Sequence, residues 1–354
     1  MFHKALWMRN WKQGKYIIML FWFSTLYFLP YQYYSDALHR AEYLRETTDT
    51  YYSYHLSGDN PTFFPGLLLI GLAVILIGWE RHNQTNDFLW SMPFKRSHLF
   101  LSKWLFGSVH IVSTLSISWI LMYIVYNTTI HGEYQSFTPF HLYFVYTIIT
   151  LIAVYTLSLF IGTITGNVIS QGALSYIIVI FPLYIFQLAF PFVALHVDTQ
   201  KEYNNIYNKS SMHIENTSIV APLSHFTIDY TYDPSRDDIK DEYGEVHAGP
   251  AYHHIPSAWA LLSPIIYILI CLPLGSYLYA RSPNEQNGKI LLYQKLHIYF
   301  SICTSICFGL LGSEVFTDGS TSIPLHYMYF IGFGILTYVI LQRVLKHKLS
   351  LYAK

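Results

Sequence analysis

Eight stretches of this chain are long, apolar and free of Asp, Glu, Lys and Arg, and stretches of that kind admit few folds. They run Tyr16–Tyr34, Phe63–Trp79, Trp104–Tyr126, His141–Ile161, Val168–Ala194, Trp259–Ala280, Tyr299–Leu311 and Leu325–Leu341. A helix rises about 1.5 Å per residue, so about 20 apolar residues cross the hydrocarbon of a bilayer, where every backbone group must be bonded within the protein. The expected fold is therefore all-α: a polytopic helical membrane protein with about eight transmembrane helices. The seventh stretch is the shortest. The fourth and fifth are separated only by residues 162–167, GTITGN, expected as a sharp turn whose glycines supply positive φ.

Composition supports this reading. Of 354 residues, 53% are hydrophobic and 12% charged, about half the charged share of soluble domains. Net charge is zero, which leaves no electrostatic footprint for nucleic acid. The three cysteines, Cys271, Cys303 and Cys307, all fall in apolar stretches, with neither a disulfide framework nor a zinc spacing; they read as small buried residues. Lys4, Arg9, Lys12 and Lys15 precede the first stretch as in a signal peptide. Pro30, Tyr31, Gln32, Tyr33 and Tyr34 follow it instead of a small-residue cleavage site, so an uncleaved first span is expected.

Basic residues favour the cytoplasmic side. With the N-terminus inside, cytoplasmic segments hold 15 of the 21 Lys and Arg and only three acids, Glu80, Asp87 and Glu285. Both termini are thus expected in the cytoplasm. The outer face then carries two sizeable segments, 35–62 and 195–257. The second holds ten acids between Asp198 and Glu245, with apolar patches such as Ile219–Leu223 that suit a small packed cap. Tryptophans and tyrosines near span ends (Trp7, Trp11, Trp79, Trp104, Tyr126) fit headgroup anchoring.

Chemistry-bearing patterns are sparse. No span interior carries Asp, Glu, Lys or Arg, which argues against a carrier that moves protons through membrane-embedded carboxylates. Interior polar groups are chiefly His110, Gln171 and Gln187, and a lone His110 reads as a packing residue. The adjacent His253 and His254 point to opposite sides of an extended chain and make a poor chelate, so no metal site is expected. No phosphate-cradling Gly-rich loop and no nucleophile–base constellation occurs at readable spacing, so no catalytic residue is assigned. Two weaker alternatives remain open: a lipid-modifying intramembrane enzyme such as an acyltransferase, using His110 or a group of the outer loop, and a sensor using the acidic outer segment.

The most specific stretch is Glu80–Lys103, ERHNQTNDFLWSMPFKRSHLFLSK. Thr85, Phe88, Leu89 and Met92 share one stripe of a short helix, and Pro93, lacking an amide proton, ends it. Lys95 and Arg96 follow at headgroup level, and Ser97 is placed to cap the next helix. Such a helix either docks into a groove on a cytoplasmic partner or lies flat on lipid, and physics alone leaves both readings open.

With Glu80, Phe88, Leu89, Met92, Pro93, Lys95, Arg96, Ser102 and Lys103 in this order, the segment resembles that of permease subunits of type-2 ABC exporters, and within them the Ytr-like permeases of Gram-positive bacteria. The opening MFHKALWMRNWKQGKY is similar to the family's N-terminal elbow helix. The resemblance implies that Glu80, Thr85, Asp87, Phe88, Leu89, Met92, Lys95 and Arg96 form a coupling helix against a separate cytoplasmic ATP-binding subunit. It further implies a second permease chain, identical or related, lipid around the spans, and ATP and Mg on the partner with no cofactor here. Substrate would be moved across a bacterial plasma membrane. Residues 1–280 would form a six-span permease core, and residues 281–354 two additional spans and a basic tail.

Overall fold

The computed structural model describes residues 3–46, 51–83, 94–196, 216–232, 253–282, 288–317 and 322–346. In chain order the elements are α1 (Lys4–Leu26), α2 (Gln32–Glu46), β1 (Tyr52–Ser57), α3 (Asn60–Ala73), α4 (Trp79–His82), α5 (Arg96–Thr128), α6 (His131–Tyr134), α7 (Thr138–Ile164), α8 (Val168–Ala194), α9 (Ala221–Ser224), β2 (Thr227–Tyr232), α10 (Leu262–Ala280), α11 (Gln294–Thr317) and α12 (Ile323–Lys346). Wide π-helical turns at Tyr27–Tyr31 and Val74–Gly78 join α1 to α2 and α3 to α4.

Six helical stretches among the described residues are long and apolar enough to cross a membrane: Asn60–His82, Arg96–Thr128, Thr138–Ile164, Ala258–Ala280, Lys295–Thr317 and Ile323–Arg343. The protein is a polytopic helical membrane protein. The seventh apolar stretch, short in sequence, lies within the 24-residue α11, because polar residues at both ends continue the helix beyond the apolar segment. The expected first and fifth spans lie on α1–α2 and α8; the apolar part of α8 that is described, Val168–Pro182, is shorter than a full crossing.

The chain divides into two compact units. The first comprises Met1–Leu72, Leu101–Thr156 and Ile219–Leu269. Pro30 has no amide hydrogen to give the preceding turn, and the π-helical turn around it lets α1 continue into α2. The helix is also unbroken from Lys4 to Leu26, so the basic opening residues run directly into the first apolar stretch. This opening is held by packing: Trp7 meets Phe106 edge-on at 4.9 Å, and His110 stacks on Trp7 and Trp11 at 6.0 and 5.8 Å. Trp7 and Trp11 are thus engaged with the protein itself.

The two segments expected on the outer face meet in a sheet. β1 and β2 pair antiparallel in the register Tyr52↔Tyr232 to Ser57↔Thr227, with Tyr52, Tyr54, Ile228 and Tyr230 buried at alternate positions. His55 and Asp229 face each other across the strands and are bonded. Phe226, fully buried, packs edge-on against Tyr143 and Tyr146 at 5.6 Å each. His253 rests on Tyr230 at 4.7 Å, and the backbone of His254 pairs with Thr227, so the adjacent histidines serve packing and sheet extension.

Beneath the sheet lies a closed circuit of hydrogen bonds. Tyr33 Oη donates to Gln135 Oε1 (2.7 Å), Gln135 Nε2 donates to Tyr52 Oη, Tyr52 Oη donates to His131 Nδ1 (2.6 Å), and His131 Nε2 donates to the Tyr33 carbonyl (3.0 Å). All four side chains are buried. The directions are mutually consistent only with a neutral imidazole carrying its proton on Nε2. Burial lowers the His131 pKa to about 4, with the charge of Arg40 adding and the bond to Tyr33 opposing.

The second unit comprises Ala73–Phe100, Leu157–Ser218 and Ile270–Lys354. α11 and α12 pack as an antiparallel pair, in which Ser313 Oγ lies 3.0 Å from His326 Nδ1. The remaining surface of α12 is apolar and exposed, including Met328, Ile331, Ile335 and Ile340, as suits contact with lipid. The cysteines differ from expectation: Cys271 is buried, but Cys307 is half-buried and Cys303 is exposed on α11. In a membrane helix an apolar face need not be an interior face.

Candidate functional site

The segment singled out by sequence begins within α4 and resumes at the first residues of α5, Arg96–Phe100, all in the second unit. Thr85, Asp87, Phe88, Leu89, Met92 and Pro93 lie outside the described residues. Its flanks are well placed. Glu80 is buried on α4. Lys95 is exposed, and its carbonyl accepts from the amides of His98 and Leu99, so Lys95 rather than Ser97 sits at the helix start. Arg96 is directed back onto its own chain, with Nη1 donating to the Ala280 carbonyl at the end of α10 (3.2 Å).

The larger anchor is Arg81, which in the sequence counts only as one of the cytoplasmic bases. It is 1% exposed. Its Nη1 donates to the Thr165 carbonyl, and its Nη2 donates to Ser282 Oγ at 3.0 Å and makes a longer contact, 3.5 Å, to the Thr163 carbonyl. The guanidinium therefore fastens the end of the second span to the end of α7 and to the residue pair following α10. Carbonyls at a helix C-terminus lack intrahelical donors and carry partial negative charge, so a buried cation is well matched there. Arginine suits the task because its planar fork presents several donors at once.

The turn between α7 and α8 is held from another side as well. Leu292 N donates to Ile164 O (2.9 Å), Gly288 N to Gly166 O (2.8 Å), and Thr165 bridges Leu291. Neither Gly162 nor Gly166 has positive φ; among the described glycines only Gly288 does, at 91°. Gly162 is instead a spacer. A Cβ there would lie 2.5 Å from Gln171 Nε2, and one at Gly78 would lie 2.7 Å from Gln171 Oε1. Two helices thus give up side chains to admit Gln171, which is fully buried. Its Nε2 donates to Ala73 O (3.0 Å) and Ser158 O (3.1 Å). A π-helical turn widens the ladder and leaves a carbonyl at its start in need of a donor, and Ala73 stands immediately before the turn at Val74–Gly78. The available sequence signal is an amide near the start of an uncharged helix, together with glycines in the helices facing it.

No group of three or more His, Cys, Asp or Glu residues among those described could hold a metal ion. His110, the residue available to an intramembrane enzyme, is enclosed by Trp7, Trp11, Trp22 and Phe106 ring contacts.

Comparison with known proteins decides the class. Residues 23–283 match the family model described as ABC-2 family transporter protein. The chain belongs to the ABC-2 transporter family. The match spans the segment between α4 and α5 and both of its arginine anchors. Among named relatives of this ABC-2 protein, the probable ABC transporter permease YtrC of Bacillus subtilis (strain 168) is 25% identical over 363 residues, covering 96% of this chain and 93% of the relative. The probable permease YtrD of the same organism is 26% identical over 263 residues, covering 74% and 70%. No solved structure matches. The chain is thus a transmembrane permease subunit of an ABC transporter, a multi-pass protein of the bacterial cell membrane, and its family implies an ATP-binding partner subunit.

Proposed function

We propose that this permease has eight spans with both ends in the cytoplasm and assembles as two permease chains with two ATP-binding subunits. ATP and Mg belong to the partner; this chain holds no cofactor and catalyses no reaction of its own. Residues 1–280 form the permease core and residues 281–354 an addition of two spans and a basic tail. The relation to YtrC, which covers 96% of this chain and so runs well past residue 283, supports treating that addition as part of the permease.

Contact with the ATP-binding subunit is made by Glu80, Thr85, Asp87, Phe88, Leu89, Met92, Lys95 and Arg96. The observation that carries this reading is the fixing of both flanks of the segment by buried or half-buried arginines, Arg81 to the end of α7 and Arg96 to the end of α10. A loop that merely lay on lipid would have no need of such anchors. Substrate passes between permease chains as nucleotide-driven movement reaches the spans.

Replacing Phe88, Leu89 and Met92 together by Asp puts three charges on the docking stripe. The expected result is normal membrane insertion with loss of the ATP-binding subunit on purification in detergent. Normal co-purification and normal ATP hydrolysis in that variant would remove the coupling assignment.

A further inference from the structure

The inner end of the second span contains a weak point. The π-helical turn at Val74–Gly78 separates α3 from α4, and turns of this type are places where a helix yields. A push delivered to residues 80–83 would be absorbed at this turn if nothing bridged it. Two side-chain bonds do bridge it, and both reach the same neighbour. Before the turn, Ala73 O is held by Gln171 of α8, which also holds Ser158 O of α7. After the turn, Arg81 holds the carbonyls of Thr165 and Thr163, at the C-terminal end of α7. The wide turn is therefore bracketed, fore and aft, by the α7–α8 hairpin. Gly78 and Gly162 keep the bracket tight by leaving room for Gln171.

We propose that Arg81 and Gln171 are positioning residues that make α4 and the α7–α8 hairpin move as one block, so that displacement of the segment after α4 reaches the fourth and fifth spans together with the second. The backbone pairing of Ile164–Gly166 with residues 288–292 extends the block to the chain after α10, and Ser282 Oγ gives Arg81 a second foothold there. The assignment rests on the reading that residues 80–96 meet the ATP-binding subunit.

The test is backbone hydrogen exchange, read by mass spectrometry, on the permease assembled with its ATP-binding subunit in lipid nanodiscs, with and without ATP plus vanadate. In the parental complex exchange changes on trapping in residues 80–96 and, with them, in residues 162–169 and 288–292. In Arg81→Gln the ATP-binding subunit remains bound and the change in residues 80–96 persists, while the change in residues 162–169 is lost. Arg81→Lys, which keeps the charge without the fork, restores part of it. Full transmission to residues 162–169 in Arg81→Gln would overturn the clamp. If Arg81→Gln fails to assemble, Gln171→Leu and Ser282→Ala carry the test: the first must lose and the second weaken the change at residues 162–169, and parental behaviour in both would overturn it. A parental complex with no nucleotide-dependent change in residues 80–96 would instead overturn the underlying coupling reading, and the clamp with it.

Discussion

The Tyr33–His131 circuit and the Arg81 junction both tie distant parts of the chain together with buried polar groups, yet they do so by different physics. The circuit is neutral and closed: Tyr33, Gln135, Tyr52 and His131 are linked donor to acceptor in a ring, Gln135 Nε2 adds a longer bond to His131 Nδ1, and each bond direction depends on the next. It fixes a single arrangement, because turning any one group around leaves a buried donor facing a donor. The junction is built on a cation and on backbone carbonyls at helix ends. A guanidinium with five donors can keep acceptors in reach while the helix ends shift slightly. A neutral circuit suits a part that stays as it is, and a cationic hub suits a part that must stay attached while it moves.

Acid breaks the circuit first, and this is the largest effect expected. The His131 pKa is about 4 when folded, held down mainly by burial, against about 6.5 for an unperturbed histidine. Above that value both states are neutral and His131 adds no pH dependence. Below it the unfolded chain takes up a proton that the folded chain refuses, so stability falls as pH drops from about 6.5 to about 4, by about 3 kcal/mol in total. Thermal unfolding in detergent across this range checks the expectation. His131→Gln cannot acquire charge but can still donate toward Tyr33 O and accept from Tyr52, so it should lose this component of the acid sensitivity. An unchanged pH profile in His131→Gln would show that the acid effect originates elsewhere. Asp36, Arg40 and Tyr54 surround the circuit and set its local field.

Gly162→Ala tests the junction. The added methyl group would meet Gln171 Nε2 at 2.5 Å and its Cδ at 2.8 Å. Gln171 is buried and bonded on two sides, so it has nowhere to withdraw without giving up Ala73 O or Ser158 O. The expected cost is about 2 kcal/mol, the usual scale of overpacking. The Tyr33–His131 circuit offers no such clash to this substitution and should be unaffected. The melting temperature reads the first part, and retention of the parental acid profile reads the second.

How much of this was legible beforehand depends on the kind of interaction. Hydropathy located the helices well: the fifth apolar stretch, Val168–Ala194, coincides with α8. It underestimated α5 and α11, because Arg96–Lys103 and Gln294–Ile298 continue a helix in residues too polar to register as membrane span. The pairing of β1 with β2 was beyond reach. Tyr52, Tyr54 and Leu56 do alternate, but their partners Tyr232, Tyr230 and Ile228 lie far along the chain and nothing in the chain encodes that match. Gly162 and Gly166 look like turn-makers in the sequence because glycine's freedom of φ is the commoner reason for a pair of glycines at a break. The structure uses Gly162 for its missing side chain, which only the neighbour Gln171 explains. Arg81 was visible as a base beside an apolar run, and a positive charge at that place is already accounted for by topology. Its burial, and hence its role, depends on where residues 163, 165 and 282 come to lie.

The smallest expected effect lies at the same turn and isolates its local contribution from the clamp. Asn167 stands at the start of α8 with extended backbone (φ −135°, ψ 146°), and its side chain accepts from the amide of Ile169 at 3.1 Å. An asparagine in this position satisfies one of the amide donors that a helix leaves open at its first turn. Alanine keeps the backbone conformation available and removes only that acceptor, so Asn167→Ala should cost about 1 kcal/mol. The Arg81 bonds are made to carbonyls of residues 163 and 165, upstream of the cap, and do not depend on the Asn167 side chain. Asn167→Ala should therefore lower the melting temperature slightly while leaving the nucleotide-dependent exchange at residues 162–169 intact. If so mild a change abolished that transmission, the hairpin would be relaying movement through its own stiffness, and the bracket formed by Arg81 and Gln171 would not be what holds the block together.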